Sequence, residues 1–505
     1  MGKVREIFIS AETQETRVAI TEEKRLEEFY VERAGDQRLV GSIFKGRVTS
    51  VVPGIGAAFI DIGLGKNGFL YVADIISPPP EEEAEMEGEA APPARPQRQE
   101  HRRRSRIEEL VKPNQEVLVQ VVKEGFGTKG ARLTTHLSLP GRYLVLMCND
   151  SRLGISKRIE DHQERVRLRE LLRKLRVTPE SGLIMRTVGV GKGEKEFSRD
   201  ARYLGSLWQR IKRQEQRVKA PSCIYQEYDL AQRVIRDSLT EDVHRVMVDS
   251  KAELKRLGHF VRILMPGVRV RLDFYQGEEP LFERQGLEEQ IEALFEKRVS
   301  LPSGGFVVIE PTESLVAIDV NSGKFTGRRN LEETVTQVNK EAAVEIARQL
   351  RLRDVGGIVA IDFIDMEHQD NRRQVIQTLE QALERDRAKT NLVSFSEICV
   401  AELTRQRMRR SVETMSHQSC PYCGGRGAVK SVVTMAIHAI RQAKHALKNT
   451  RNKTLELFVH PQVALRLLQQ DRPALSAIEK QAQARILIMS DPNQHLEQIK
   501  AQVTG

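Results

Sequence analysis

A chain of 505 residues is too long for one hydrophobic core, since single cores seldom grow past about 250–300 residues. With 40% hydrophobic and 30% charged residues it reads as a folded protein, and no run approaches the roughly eighteen apolar residues of a membrane span. Lys and Arg number 80 against 70 Asp and Glu, a net charge of +10 that makes the chain moderately basic.

The basic excess is clustered, in "HRRRSR" (101–106), "RVRLRELLRKLR" (165–176), "RDRAK" (385–389) and "TRQRMRR" (404–410). Solvated helix faces account for part of this. Several clusters in one chain favour a polyanionic partner, nucleic acid before membrane. The five cysteines (Cys148, Cys223, Cys399, Cys420, Cys423) are odd in number and scattered, which argues for a reducing compartment without a disulfide framework. With no apolar signal core in "MGKVREIFIS", the expected location is the cytoplasm.

In chain order, "REIFIS", "TRVAIT" and "LEEFYVER" alternate like the strands of a small antiparallel sheet. From Leu39 short strands follow at close intervals: "LVGSIFKGRVTSVV", "AAFIDI", "GFLYV" and, after an interruption, "EVLVQVV". Gly and Pro punctuate them, as in a small barrel. The interruption, residues 77–106, is Pro-rich, acidic and then basic, and nearly devoid of large apolar residues. It cannot bury a core and is expected to be a disordered excursion from a barrel loop. Residues 136–231 are mixed: a basic helix over 160–176, a strand "SGLIMRT", a Gly-rich turn and a long helix. An α/β stretch continues to about residue 294, another spans 295–415, and "CPYCGGRG" leads into a final α/β segment over 431–505.

Within 295–415 one short pattern occurs twice. "LVAIDVNSG" ends a strand on Asp319, followed by Asn321, and 43 positions later "GIVAIDFID" ends another on Asp362. Between them Asn330 can cap a helix whose Leu331, Val335, Val338, Ala342, Ile346 and Leu350 form one apolar stripe. Strand–helix–strand predicts adjacent parallel strands, which would bring Asp319 and Asp362 side by side at one sheet edge. Two like charges so close call for compensation. A hard divalent cation such as Mg2+ provides it, being held by one or two carboxylates together with water and phosphate oxygens. Asn321 is placed to assist and Asp365 is a weaker third candidate. Taken singly, each Asp could merely cap a loop; their pairing in a basic chain points to metal-assisted phosphodiester hydrolysis.

Cys420 and Cys423 stand at knuckle spacing and run into Gly-Gly-Arg-Gly. A redox pair would open a helix directly after a strand, whereas this pair follows a basic helix. A structural Zn2+ wants four ligands, of which the pair supplies two and His417 could add a third.

"AIDVNSG", "EIARQLRLRDVGGIVAIDFIDM", "GTKGARLTTHLSLPGRYLVLM" and "CPYCGGRG" resemble the signature stretches of the ribonuclease E/G family. The resemblance spans nearly the whole chain, and its length and short C-terminus look like the G branch. It implies a multidomain α/β and α+β protein: an RNase H-like domain (1–36 and 232–294) interrupted by an OB-fold barrel (37–135, with the insert 77–106) and a 5′-end sensor (136–231). A DNase I-like catalytic domain (295–415), a zinc link (416–430) and a small domain (431–505) would follow.

The implied activity is Mg2+-dependent cleavage of single-stranded RNA, favoured by a 5′-monophosphate and leaving 5′-phosphate and 3′-hydroxyl ends, in rRNA and tRNA precursor processing and mRNA decay. Carried over residue by residue, Asp319, Asn321 and Asp362 are catalytic and the two aspartates hold Mg2+. Phe59, Phe69 and Lys129 contact RNA, a use that suits aromatics beside a cation; without the resemblance both Phe residues would be read as core. Gly141, Val145, Arg186, Thr187 and Lys389 take the 5′-phosphate. Arg186 has the fork geometry for that task, although in "LIMRTVG" it would otherwise pass for an ordinary strand-end arginine. Cys420 and Cys423 would share one Zn2+ with the same pair of a second chain, giving a homodimer or a tetramer.

Two departures stand out. Lys389 replaces an arginine of ribonuclease E relatives, keeping charge but losing bidentate geometry. The 77–106 insert also enlarges a barrel loop. Without a long C-terminal scaffold, recruitment into a large degradation complex is not expected.

Overall fold

The structure, a computed structural model, describes residues 4–35, 39–76, 84–86, 106–125, 129–175, 177–178, 180–268, 270–323, 331–396, 398–407, 412, 416–448 and 453–504. It divides into two compact units, residues 1–412 and 413–505.

The larger unit contains four sheets among its described residues. In the first, Arg5–Ala11 pairs antiparallel with Glu15–Glu22, which pairs with Arg25–Arg33. On its other side Arg5–Ala11 pairs in parallel with Val243–Val248, and Arg271–Phe274 completes the sheet. The alternating Ile7, Ile9, Val18, Ile20, Val246 and Val248 are buried against Leu257 and Val261 of the Lys251–Leu264 helix. Sequence segments more than two hundred residues apart therefore build one layer.

The inserted strands form a closed barrel. Ile43–Val52, Ala57–Asp61, Gly68–Tyr71, Arg132–Thr134 and Glu116–Lys123 pair in that order, and Glu116–Lys123 returns to Ile43–Val52. Val48, Ile60, Leu70, Val119, Val121 and Leu133 fill it. At Gly68 the wall is close, since a Cβ there would lie 2.5 Å from Leu133 Cδ1.

A third sheet, Ser138–Pro140, Leu144–Met147, Gly182–Met185 and Leu153–Ser156, packs on the Glu194–Arg217 helix through Phe197, Leu204 and Trp208. Ala84–Met86 adds an edge strand to it, pairing antiparallel with Leu153–Ser156. Three residues of the expected disordered excursion thus have a place in a sheet, because an edge strand needs only backbone hydrogen bonds. Residues 77–83 and 87–105 lie outside the described residues.

The fourth sheet carries both Ala-Ile-Asp strands. Its order is Arg298–Ser300, Phe306–Pro311, Leu315–Asn321, Gly357–Asp362, Val400–Arg405 and Thr390–Phe395. The Leu331–Arg353 and Gln369–Leu383 helices cover one face, burying Val335, Val338, Ala342, Ile346 and Leu350 as the stripe predicts. The expected cap Asn330 lies outside the described residues. The same helix also docks on the first sheet, where Arg351 pairs with Glu27 at 2.8 Å and Arg348 donates to the Leu26 carbonyl at 2.6 Å.

The smaller unit has a three-stranded sheet with Thr454–Val459 between Arg485–Ser490 and Ile499–Thr504. The Val432–Ala446, Pro461–Gln469 and Arg472–Ala482 helices pack on it through Met435, Leu467 and Leu475.

Candidate active site

Leu315–Asn321 and Gly357–Asp362 are adjacent and parallel, and their register runs from Leu315 opposite Ile358 to Asp319 opposite Asp362. Partners in neighbouring strands lie about 4.8 Å apart and project to the same face. Val316, Ile318, Val320, Val359 and Ile361 take the buried face, so Asp319, Asn321 and Asp362 take the other. Both aspartates are exposed. Water therefore removes the burial cost that a carboxylate at the end of an apolar strand would otherwise carry, while the repulsion between the two remains.

Asn321 Nδ2 donates to Asp319 Oδ2 at 2.7 Å, fixing one oxygen of the pair. Among the described residues no group of three or more His, Cys, Asp or Glu could hold a metal. Two carboxylates and one carboxamide, open to solvent, fit Mg2+, which keeps water and substrate oxygens in its shell. They do not fit a cage built wholly of protein ligands.

Asp365 is exposed on the loop that follows. That loop is held by a residue the sequence did not single out. Fully buried Asn339, on the long helix, donates to the Ile364 carbonyl (2.8 Å) and accepts from the Ile364 amide (3.1 Å). At the start of the strand, buried Arg405 binds Asp386 (2.7 Å), Asp354 (2.8 Å) and the Val355 carbonyl (2.7 Å). Burial alone would push its guanidinium down, but the two carboxylates outweigh it and its pKa lies above the ordinary arginine value.

Arg186 follows the Gly182–Met185 strand and is half-buried. Its Nη1 donates to the Gly141 carbonyl at 2.7 Å and its Nη2 meets Asp237 Oδ1 at 2.8 Å. Asp237 also accepts from Arg236 at 3.0 and 3.1 Å. Burial would raise the Asp237 carboxyl, but Arg186 and Arg236 together hold it well below the usual carboxylate range. Thr187 is exposed next to Arg186, whereas Val145 is buried, paired with Ile184. Gly141 has its own structural reason: a Cβ there would lie 2.6 Å from both oxygens of Asp200, which accepts backbone N–H bonds from Arg142, Tyr143 and Leu144. Lys389 is exposed two residues after Arg387, whose guanidinium donates to Ser238 Oγ at 2.7 Å, beside Asp237. The roles of Asp237 and Arg387 were not legible in the sequence, because Arg186 and Ser238, which they meet, are distant from them in the chain.

On the barrel, Phe59 and Phe69 are directly opposite, with ring centroids 4.7 Å apart. Both are half-buried, on the side away from Ile60 and Leu70, so they are not core residues. Lys129 is exposed and precedes Gly130, whose Cβ would meet the Asn67 carbonyl oxygen at 1.8 Å; Phe69 N–H donates to the Ala131 carbonyl at 2.7 Å. The chain next to Lys129 is therefore packed against the backbone leading into Phe69.

Cys420 is exposed and Cys423 half-buried, in a turn where Gly424, Gly425 and Gly427 all have positive φ. The Gly427 N–H donates to Cys423 Sγ at 3.3 Å, and that bond lowers the thiol's pKa. The next helix begins only at Val432, capped by Ser431, so neither sulfur sits at a helix N-terminus as a redox pair would. Two thiols at this spacing, with no third His, Cys, Asp or Glu grouped with them among the described residues, fit half of a four-thiolate zinc site. Tyr422 stacks on His495 at 4.1 Å and Arg426 pairs with Glu497 at 2.9 Å, which ties the turn to its own unit.

The family model described as Ribonuclease E/G family matches residues 138–408. Ribonuclease G of Escherichia coli (strain K12) is 39% identical over 496 residues, covering 98% of both chains. The chain belongs to the ribonuclease E/G family. Ribonuclease G of Haemophilus influenzae is 39% identical over 470 residues, 93% of each chain. Ribonuclease E of Escherichia coli is 36% identical over 497 residues, 98% of this chain but 45% of that protein.

Two further models match other parts of this family member. An S1 RNA binding domain spans residues 39–135, the extent of the barrel, and an RNase E/G, Thioredoxin-like domain spans 419–504. Among the described residues no helix is long and apolar enough to cross a membrane.

Proposed function

We propose that the protein is a Mg2+-dependent endoribonuclease that hydrolyses single-stranded RNA in the processing of rRNA and tRNA precursors and in mRNA decay. The observation that carries this reading is the registered, exposed pair Asp319 and Asp362 with Asn321 bonded to it, in a chain that also has an S1 barrel. Asp319 and Asp362 hold the metal, and Asn321 orients Asp319. Bound Mg2+ would supply an activated water and neutralise charge on the phosphoryl oxygens. Breaking the bond from phosphorus to the 3′ oxygen then leaves a 5′-phosphate and a 3′-hydroxyl.

Phe59 and Phe69 give bases a stacking surface, with Lys129 beside it for the backbone. Arg186, Thr187, Lys389, Gly141 and Val145 receive a 5′-monophosphate and so favour substrates that carry one. Residues 5–33 with 243–274 correspond in this reading to the interrupted RNase H-like domain, and 295–415 to the DNase I-like one. Cys420 and Cys423 share one Zn2+ with their counterparts in a second chain, making a cytoplasmic homodimer that can pair into a tetramer.

The test is to offer labelled single-stranded RNA and DNA of one sequence with Mg2+ and with EDTA. Internal cleavage of RNA only, abolished by EDTA, is expected. RNA bound but uncut in Mg2+ would make the chain an RNA-binding protein, and equal cutting of DNA would overturn the substrate class.

A further inference from the structure

On the same open face as the aspartates lies an arginine that, among the described residues, has no hydrogen-bond or ion-pair partner. Register partners run straight across the sheet, from Arg298 to Val308, Asp319, Asp362 and Val400. In the adjacent row Ser300 faces Phe306, which faces Asn321. Val299 and Val307 point into the core, so Arg298 and Phe306 share the outer face with the aspartates. The Arg298 guanidinium lies over the Phe306 ring, 3.6 Å from its centroid. That places it above the residue opposite Asn321, about 5 Å to one side.

An arginine could lie there only to cover Phe306 from water. The other arginines stacked on aromatic rings argue against this. Arg17 is paired with Glu288, Arg132 with Asp74, Arg236 with Glu227 and Asp237, and Arg245 with Glu6, while Arg142 donates to backbone carbonyls. Arg298 is exposed, and among the described residues it has no hydrogen-bond or ion-pair partner. The nearby carboxylate of Glu310 is taken by Lys297 at 3.0 Å. A flat guanidinium fixed by stacking presents its N–H edge outward, in the geometry that suits phosphate oxygens.

We propose that Arg298, held flat by Phe306, binds the phosphodiester next to the one being cleaved. The proposal rests on the reading of Asp319 and Asp362 as the metal-binding pair. Arg298 sets where the strand lies relative to the aspartates and takes no part in the bond change. Phe306 is a positioning residue that acts through Arg298.

The test uses Arg298→Gln, which keeps a planar side chain over Phe306 and removes the charge, in the full-length chain. Cleavage of a 5′-hydroxyl single-stranded RNA is followed at several salt concentrations, so that the 5′-phosphate site plays no part. KM should rise about tenfold or more with kcat little changed. The slope of log KM against log salt should fall by about 0.7, the value for one phosphate contact on a single strand. Phe306→Leu should raise KM less and leave the slope unchanged. Unchanged KM and slope in Arg298→Gln would overturn the proposal, as would a change confined to sedimentation, which would make this face a contact between copies. If the wild-type chain does not cleave RNA, the reading of the aspartates falls instead. The affinity of Arg298→Gln for the same RNA then still decides the case of Arg298.

Discussion

Arg186→Ala separates recognition of the RNA 5′ end from everything else. The guanidinium has five N–H donors in a fixed fork. One bonds the Gly141 carbonyl at 2.7 Å and another meets Asp237 at 2.8 Å, leaving donors to spare for a phosphate. Truncation does not orphan Asp237, because Arg236 still binds it at 3.0 and 3.1 Å. The fold should therefore lose about 1–3 kcal/mol for an unsatisfied Gly141 carbonyl, besides the Arg186 share of the charge that holds Asp237 ionised. A charge-assisted hydrogen bond to the 5′-phosphate contributes about 1.5–3 kcal/mol, so losing it should slow cleavage about ten- to a hundredfold. The assay is single-turnover cleavage of one oligonucleotide carrying either a 5′-monophosphate or a 5′-hydroxyl. The first should slow towards the rate of the second, which should itself change little. Arg186→Lys should rescue part of the difference, since charge survives without the fork. Equal slowing of both substrates would refute the reasoning and make Arg186 part of the scaffold.

Three further outcomes follow from the same structure. Asp237 titrates below its ordinary range when folded, so its stabilisation is complete above the unfolded value of about 4 and is lost as pH falls through the folded value. In urea unfolding, wild type should exceed Asp237→Asn by a constant margin above about pH 5, narrowing in stronger acid; a margin that widens would contradict this. Gly130→Ala sets a Cβ 1.8 Å from the Asn67 carbonyl oxygen, so thermal unfolding should show a loss of about 3 kcal/mol, with weakened RNA binding. Cys420→Ser should drop zinc content from one per two chains to none and shift sedimentation towards monomer, whereas one zinc per chain in the wild type would favour a site closed within the chain.

The Asp319–Asp362 register was legible because a repeated Ala-Ile-Asp pattern brackets one long apolar stripe, and strand–helix–strand leaves few arrangements. The exposure of those aspartates was not, since strand alternation fixes which residues share a face and only the covering layers decide which face is open. Phe59 and Phe69 alternate like core residues, and only barrel closure puts them outside. Asp237, Arg387 and Asn339 stayed hidden for a different reason. Each works through a partner brought close by folding, such as Arg186 for Asp237 or Ile364 for Asn339. The edge strand at Ala84–Met86 was equally hidden, because its composition is that of a solvated loop and its pairing is made by backbone alone.

The central claim is that Asp319 and Asp362 hold the metal that cleaves RNA. Its most direct test is cleavage of one single-stranded RNA across a Mg2+ titration by wild type, Asp319→Asn and Asp362→Asn, with RNA affinity measured alongside. Each substitution removes one negative charge from the registered pair and leaves the barrel and its aromatic surface in place. Both variants should bind RNA nearly as well as wild type and cleave it at no Mg2+ concentration up to the millimolar range. Substantial Mg2+-dependent cleavage by either variant would contradict the account.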